Sequence, residues 1–210
     1  MTRTFVKICG ITDQGMALHA ASAGADAIGL VFYAKSPRVV DANTARGIAA
    51  ALPAHVASVA LFVNEQAAEI ARVINIVNPA IVQFHGDEDA GFCQQFGKPY
   101  WKAIRVNAAT DLLNCQRLFA GAARLLLDTS SIEAGVYGGS GEIFDWNLIP
   151  PSMQGQIILS GGLHHGNVAT AITTIRPWGV DVSSGVEQTK GVKSKSRISQ
   201  FMNEVLRANV

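Results

Sequence analysis

The chain is short of charge, of aromatic residues and of cysteine. Charged residues make up 16% and aromatic ones 7% of its 210 residues, and the formal net charge is +1. That balance lacks the basic excess expected of a nucleic-acid or membrane-surface binder, so neither partner is expected. The three cysteines, Cys9, Cys93 and Cys115, are odd in number and widely spaced, which fits neither a disulfide framework nor a zinc pattern. No metal site is expected. No apolar run reaches the roughly 18 residues of a membrane span. The first residues enter an apolar strand without the order of a signal peptide, and the expected location is the cytoplasm. Linker-like tracts and low-complexity segments are missing too, so residues 1–210 are read as one domain.

What the chain does have is a hydrophobic content of 49%, organised as short apolar runs alternating with helical patterns. Strand runs fall at 4–9, 25–32, 55–63, 80–85, 100–106, 124–128, 156–160 and 179–182. Each is short, apolar and often β-branched, as a strand buried on both faces should be. Between them, Ala17, Leu18, Ala21 and Ala25 recur at helical spacing after Asp13. Ala68, Ile70, Ala71, Ile74 and Val77 do so within 65–77. Asn64 is placed to cap that helix and Asp111 to open the fifth. The weakest helix is the sixth, where only Phe144 to Ile149 precede the stop at Pro150-Pro151. Eight strand–helix units of about 26 residues predict an α/β fold, a single-domain (β/α)8 (TIM) barrel; a doubly wound open sheet shares the alternation.

In such a barrel the chemistry sits at the C-terminal ends of the strands. There the sequence places Cys9, then Ser36-Pro37-Arg38, then Gln83-Phe84-His85-Gly86. Further on come Asp128 with Gly138-Gly139-Ser140-Gly141, then Ser160-Gly161-Gly162, and last Asp181-Val182-Ser183-Ser184-Gly185. Gly161, Gly162, Ser183, Ser184 and Gly185 follow the seventh and eighth strands, the recurrent phosphate site of these barrels, where backbone N–H groups can approach an anion closely. Closing the ring sets Cys9 and Asp128 on opposite sides of a ligand anchored there, as proton acceptor and donor. Arg38 offers a bidentate partner for a planar carboxylate. His85 is a candidate substrate contact, with a rim hydrogen-bonding role as the alternative.

Strand alternation adds Lys7, which shares the inward face with Cys9. Its ammonium would favour the Cys9 thiolate, lowering a thiol pKa that starts near ~8.5. A buried lysine needs a partner, and Asp181 on the neighbouring eighth strand is the candidate. Cys93 and Cys115 lie in helical stretches and are read as structural. His164-His165 is read as a helix start, and Lys193, Lys195 and Arg197 as a solvated helix face.

These motifs together resemble the phosphoribosylanthranilate isomerase family of tryptophan biosynthesis. Those that carry the likeness are Lys7-Ile8-Cys9-Gly10-Ile11-Thr12, Gly24 to Gly29 with Ser36-Pro37-Arg38, Leu61-Phe62-Val63-Asn64 and Gln83-Phe84-His85-Gly86. With them go Gly138 to Gly141 before Phe144-Asp145-Trp146, Ser160 to Leu163 and Asp181 to Glu187. The likeness spans essentially the whole chain. It implies a (β/α)8 barrel that works without cofactor or metal. It also implies an Amadori rearrangement of a phosphorylated small molecule, with the general base falling on Cys9, the general acid on Asp128 and the anthranilate-carboxylate arginine on Arg38. In the family Lys-Asp is usual where this chain has Lys193-Ser194, threonine is frequent at Ser140 and leucine at Phe84. Indole-glycerol-phosphate synthase, a dual-specificity sugar-phosphate isomerase and a non-catalytic phosphate-binding barrel are the rival readings. Monomer and homodimer both remain open.

Overall fold

The computed structural model describes residues 3–129 and 143–209. Eight parallel strands, β1 (Phe5–Cys9), β2 (Ala27–Val31), β3 (Ala57–Phe62), β4 (Ile81–Phe84), β5 (Tyr100–Val106), β6 (Arg124–Thr129), β7 (Ile158–Leu159) and β8 (Gly179–Val182), close into a barrel in sequence order. β1 pairs with β2 on one side and β8 on the other, Lys7 standing level with both Ala27 and Asp181. The closed ring excludes the open-sheet alternative. Several strands are shorter than the apolar runs that announced them; β7 keeps only Ile158 and Leu159, the residues that pair with β6 and β8.

Seven α-helices are present among the described residues: α1 (Gln14–Ser22), α2 (Ala42–Ala51), α3 (Ala67–Val77), α4 (Ala90–Gln94), α5 (Leu112–Leu118), α6 (Val168–Ile175) and α7 (Lys195–Ala208). Their starts are chemically marked. Asp13, Asp41, Asp89, Asp111 and Ser194 each accept a backbone N–H from the first turn of the helix they precede. Asp111 is thus the cap expected. Asn64 is not: α3 starts at Ala67 after Gln66, and the Asn64 side chain turns instead to Asp87. Ser194, one of the departures noted in the sequence, caps α7 through its hydroxyl. The weak sixth helix is replaced by two 3-10 turns, Trp146–Leu148 and Pro151–Met153. Proline at 150 and 151 supplies no N–H to extend an α-helix. The Gly138–Gly141 motif lies outside the described residues.

Two apolar layers result from the strand alternation. Outward residues pack on the helices; in α7, Ile198, Phe201, Met202 and Val205 are buried at helical spacing and face the same core. Phe201 is fully buried, so truncation to alanine would cost about 3–5 kcal/mol. Inward residues fill the barrel. At its N-terminal end Phe5 stacks on Trp178 with ring centroids 4.5 Å apart, and Trp101 meets both edge-on. Above them Ala27, Val59, Ala103, Leu126 and Ile158 form the next apolar layer. Beyond that, toward the C-terminal rim, the interior becomes polar. A small antiparallel hairpin, β9 (Glu187–Thr189) and β10 (Val192–Lys193), follows β8 and leads into α7.

Candidate active site

The barrel's C-terminal mouth holds a pocket that opens to solvent, about 640 Å³ with the open space at its mouth included. Its lining includes Cys9, Arg38, His85, Asp128, Ser160, Gly161, Gly162, Asp181, Ser183 and Ser184, so nearly every residue singled out from the sequence converges on one cavity.

Cys9 ends β1 with its side chain turned into the barrel, beside Val31, Leu61, Val63 and Tyr33. Gly29 stands level with it on β2. A Cβ at Gly29 would lie 2.7 Å from the Cys9 sulfur and 3.0 Å from Lys7 Cε, so only glycine leaves room for both side chains. Lys7, wholly buried, donates to Asp181 Oδ1 at 2.9 Å, forming the pair that alternation suggested. Ser160 Oγ lies 3.4 Å from the other Asp181 oxygen. Burial works against the Lys7 charge, but Asp181 and then Cys9 outweigh it and its pKa is raised.

The expectation for the Cys9 thiol is reversed. Burial, the largest influence, raises its pKa; Lys7 pulls it down without offsetting that, and Asp181 pushes the same way as burial. The physical reason is desolvation: a thiolate loses more by leaving water than the neighbouring Lys7 charge returns, and the Asp181 carboxylate adds to the cost.

Across the pocket, Asp128 is buried near the end of β6. Its Oδ1 accepts the Thr129 backbone N–H at 2.8 Å, and its Oδ2 lies 3.0 Å from His85 Nε2. The other His85 nitrogen, Nδ1, is 2.9 Å from the amide nitrogen of Gln83, a fully buried residue two positions earlier. His85 therefore lines the pocket with its ring tied to Asp128.

Arg38 is 8% exposed, which rules out a surface arginine. Its Nε and one terminal nitrogen make a two-pronged bond to Glu187 at 2.6 and 2.9 Å. Lys193 Nζ also reaches Glu187, at 2.7 Å, and donates to the Ser183 carbonyl at 2.9 Å. Burial would raise the Glu187 pKa, but Arg38, Lys193 and the Gly191 N–H lower it to about 2. Lys193 thus corrects the sequence reading: it is a buried strut on β10, not part of a solvated helix face. Burial, opposed by Glu187, leaves its pKa lowered.

The two glycine loops lie beside Cys9 and Asp128. Gly161 and Gly162 both take positive φ, 80° and 62°, a conformation that lets their peptides turn toward the cavity. Ser184 and Gly185 open a 3-10 turn after β8, and Ser183 Oγ donates to the Cys9 carbonyl at 3.1 Å, joining this loop to β1.

Cys93 and Cys115 lie in α4 and α5, away from the pocket lining, and burial pushes the Cys93 thiol up to about 12. His164 and His165 precede α6, whose first turn begins only at Val168. Among the described residues no group of three or more His, Cys, Asp or Glu side chains is arranged to hold a metal ion. No described helix is long and apolar enough to cross a membrane.

Three features escaped the sequence reading. Glu187 stood in a quoted motif but nothing local tied it to Arg38, 149 residues away. Gln83 also stood in a quoted motif, but nothing in it tied the amide to His85 Nδ1. The apolar wall of Val31, Tyr33, Leu61 and Val63 was not picked out, although Val31, Leu61 and Val63 continue the inward parity of β2 and β3 and could have revealed it.

Fold and site define a (β/α)8-barrel with a thiol and a carboxyl group facing one cavity beside two glycine loops. The family model for N-(5'phosphoribosyl)anthranilate (PRA) isomerase matches residues 6–204, and the chain belongs to that family. An N-(5'-phosphoribosyl)anthranilate isomerase of Pseudomonas fluorescens is 51% identical over 203 residues, which cover 97% of this chain and 96% of that protein. The crystal structure of phosphoribosyl anthranilate isomerase from Thermotoga maritima superposes with a TM-score of 0.87 at 39% identity, covering 97% of this chain and 99% of that one. A phosphoribosyl anthranilate isomerase solved in complex with reduced 1-(o-carboxyphenylamino)-1-deoxyribulose 5-phosphate gives 0.84 at 37% identity, with 97% and 99% covered.

Proposed function

We propose that Cys9 and Asp128 are the base and acid with which this chain carries out its family's reaction. That reaction isomerises N-(5'-phosphoribosyl)anthranilate to 1-(2-carboxyphenylamino)-1-deoxyribulose 5-phosphate in tryptophan biosynthesis. The observation that carries the assignment is that the two groups line one pocket together with Gly161, Gly162, Ser183 and Ser184, while Gly185 packs just behind it against the Leu163 backbone. These loops anchor the phosphate through backbone N–H groups. The wall of Val31, Tyr33, Leu61 and Val63 receives the aromatic ring, and Arg38 meets its carboxylate.

Asp128, in its protonated form, gives its proton to the ribose ring oxygen as the ring opens to a Schiff base. Cys9, as thiolate, takes the proton from the adjacent C2, and the resulting enolamine tautomerises to the ketone. Each acid–base step is worth about 10²–10⁴ in rate. Burial disfavours the thiolate, and Lys7 is the cation that works against burial to make it accessible. Glu187 holds the Arg38 fork in place while leaving one terminal nitrogen for substrate.

The reading treats residues 1–210 as one domain acting in the cytoplasm on a small phosphorylated substrate, without cofactor. Its test is turnover of freshly generated N-(5'-phosphoribosyl)anthranilate, with the ketose phosphate identified by chromatography. Stoichiometric appearance of that product is expected. Loss of substrate to anthranilate, with no ketose formed, would mean hydrolysis and overturn it.

A further inference from the structure

Gln83 lies inside the barrel with no exposed surface, beneath the pocket floor and outside the set of residues that can touch a ligand. Its amide nitrogen is 2.9 Å from His85 Nδ1. A neutral imidazole carries one donor and one acceptor nitrogen, and an amide nitrogen can only donate. Nδ1 must therefore accept, which leaves the proton on Nε2, 3.0 Å from Asp128 Oδ2. Once Asp128 has given up its proton its carboxylate can only accept, so in that state both ends of the chain specify the same tautomer.

The amide's other pole sharpens the point. Gln83 Oε1 is buried with no hydrogen-bond partner among the described residues. An orphaned buried acceptor is a cost that an apolar side chain of similar length would avoid. Packing alone therefore does not account for glutamine here; its N–H does.

We propose that Gln83 is a positioning residue for the acid step: it fixes His85 in the Nε2–H tautomer, so that Asp128 faces a ready donor when it surrenders its proton. This rests on the reading of Asp128 as the acid. The negative charge left on Asp128 is then met by two donors already in place, the Thr129 backbone N–H at 2.8 Å and His85 Nε2–H, without reorganisation at the moment of transfer. Were the proton free to move to Nδ1, a bare nitrogen lone pair would face the new carboxylate, and the step would be opposed instead of assisted. No proton passes through Gln83; it only decides where the histidine proton sits.

The test reads the tautomer directly. In protein labelled with ¹⁵N-histidine, the His85 signals, assigned by their loss in His85→Gln, should show a protonated Nε2 and an unprotonated Nδ1. Gln83→Met keeps the length of the side chain and removes the donor. It should lower kcat at least about tenfold per folded molecule, with KM within about twofold, and should shift the His85 signals toward a tautomer mixture. Gln83→Glu, which demands a proton on Nδ1, should lose more than Gln83→Met. A wild-type spectrum with the proton on Nδ1 overturns the inference, as does full kcat in Gln83→Met; the first needs no variant to fold. Asp128→Asn separates this inference from the reading below it. Near-normal turnover of that variant removes the acid assignment, whereas an inactive Asp128→Asn beside an Nδ1-protonated wild type removes the Gln83 role alone.

Discussion

Two buried lysines invite comparison. Lys7 on β1 and Lys102 on β5 are 0% and 3% exposed, and each is paired with a carboxylate, Asp181 at 2.9 Å and Glu88 at 3.0 Å. By burial and pairing they are twins. They differ in the side of the sheet they occupy. Lys7 shares the inward parity of Cys9 and lies against the thiol. Lys102 alternates with the inward Trp101 and faces the helices, with Phe119 of the α5 C-terminus 5.6 Å from its ammonium. It donates to the Gly86 carbonyl at 2.6 Å, and Glu88 accepts the N–H groups of Gly86 and Asn64. One ion pair lies inside the barrel beside Cys9; the other braces the loops after β3 and β4. A buried charge is therefore no mark of function until its face of the sheet is known.

The largest effects should come from the groups facing the pocket. Cys9→Ala and Asp128→Ala are each expected to lower kcat at least about 10²-fold with unchanged circular dichroism. Near-normal turnover in either would remove that residue from the mechanism. The free Cys9 thiol, its pKa raised by burial, should be alkylated by iodoacetamide at a rate still climbing beyond the ordinary thiol value near 9. Peptide mapping would follow it, and a plateau below that value would show that Lys7 prevails after all.

The comparison itself is tested by Lys7→Met against Lys102→Met. Both strand a buried carboxylate, at a cost of about 3–5 kcal/mol in urea unfolding. Only Lys7→Met should also cut turnover per folded molecule, by at least about tenfold. Equal turnover in the two would erase the distinction between inner and outer faces. Arg38→Ala is expected to act mainly on KM, and an unchanged KM would count against the carboxylate contact.

The smallest effect is the pH dependence of Glu187. Its folded pKa of about 2 lies below the ordinary 4.5, so the folded state binds fewer protons between those values. Its contribution is complete above about pH 4.5 and is lost as pH falls toward 2. In Glu187→Gln that part of the acid sensitivity should vanish, read as a flatter dependence of the urea midpoint on pH.

Much of this was legible in the order of residues. Alternating apolar runs announced the barrel because parallel strands buried on both faces have few other ways to look. Cys9, Asp128 and the glycine loops were legible because a closed barrel presents strand ends on one rim. The Lys7–Asp181 pair followed from period-two alternation on adjacent strands. Lys193 was misread because the hairpin of Glu187–Thr189 and Val192–Lys193 is too short to leave a pattern.

The sequence by itself determined the ring of strands, the face each inward residue takes and therefore the membership of the rim. These depend on local periodicity and on closure, which are fixed residue by residue. Only the tertiary structure decided that Glu187 clamps Arg38, that Gln83 reaches Asp128 through His85, and that burial outweighs Lys7 at the Cys9 thiol. Each of those turns on distance and desolvation between groups far apart in the chain, and a few ångströms or the loss of water around a charge reverses the outcome.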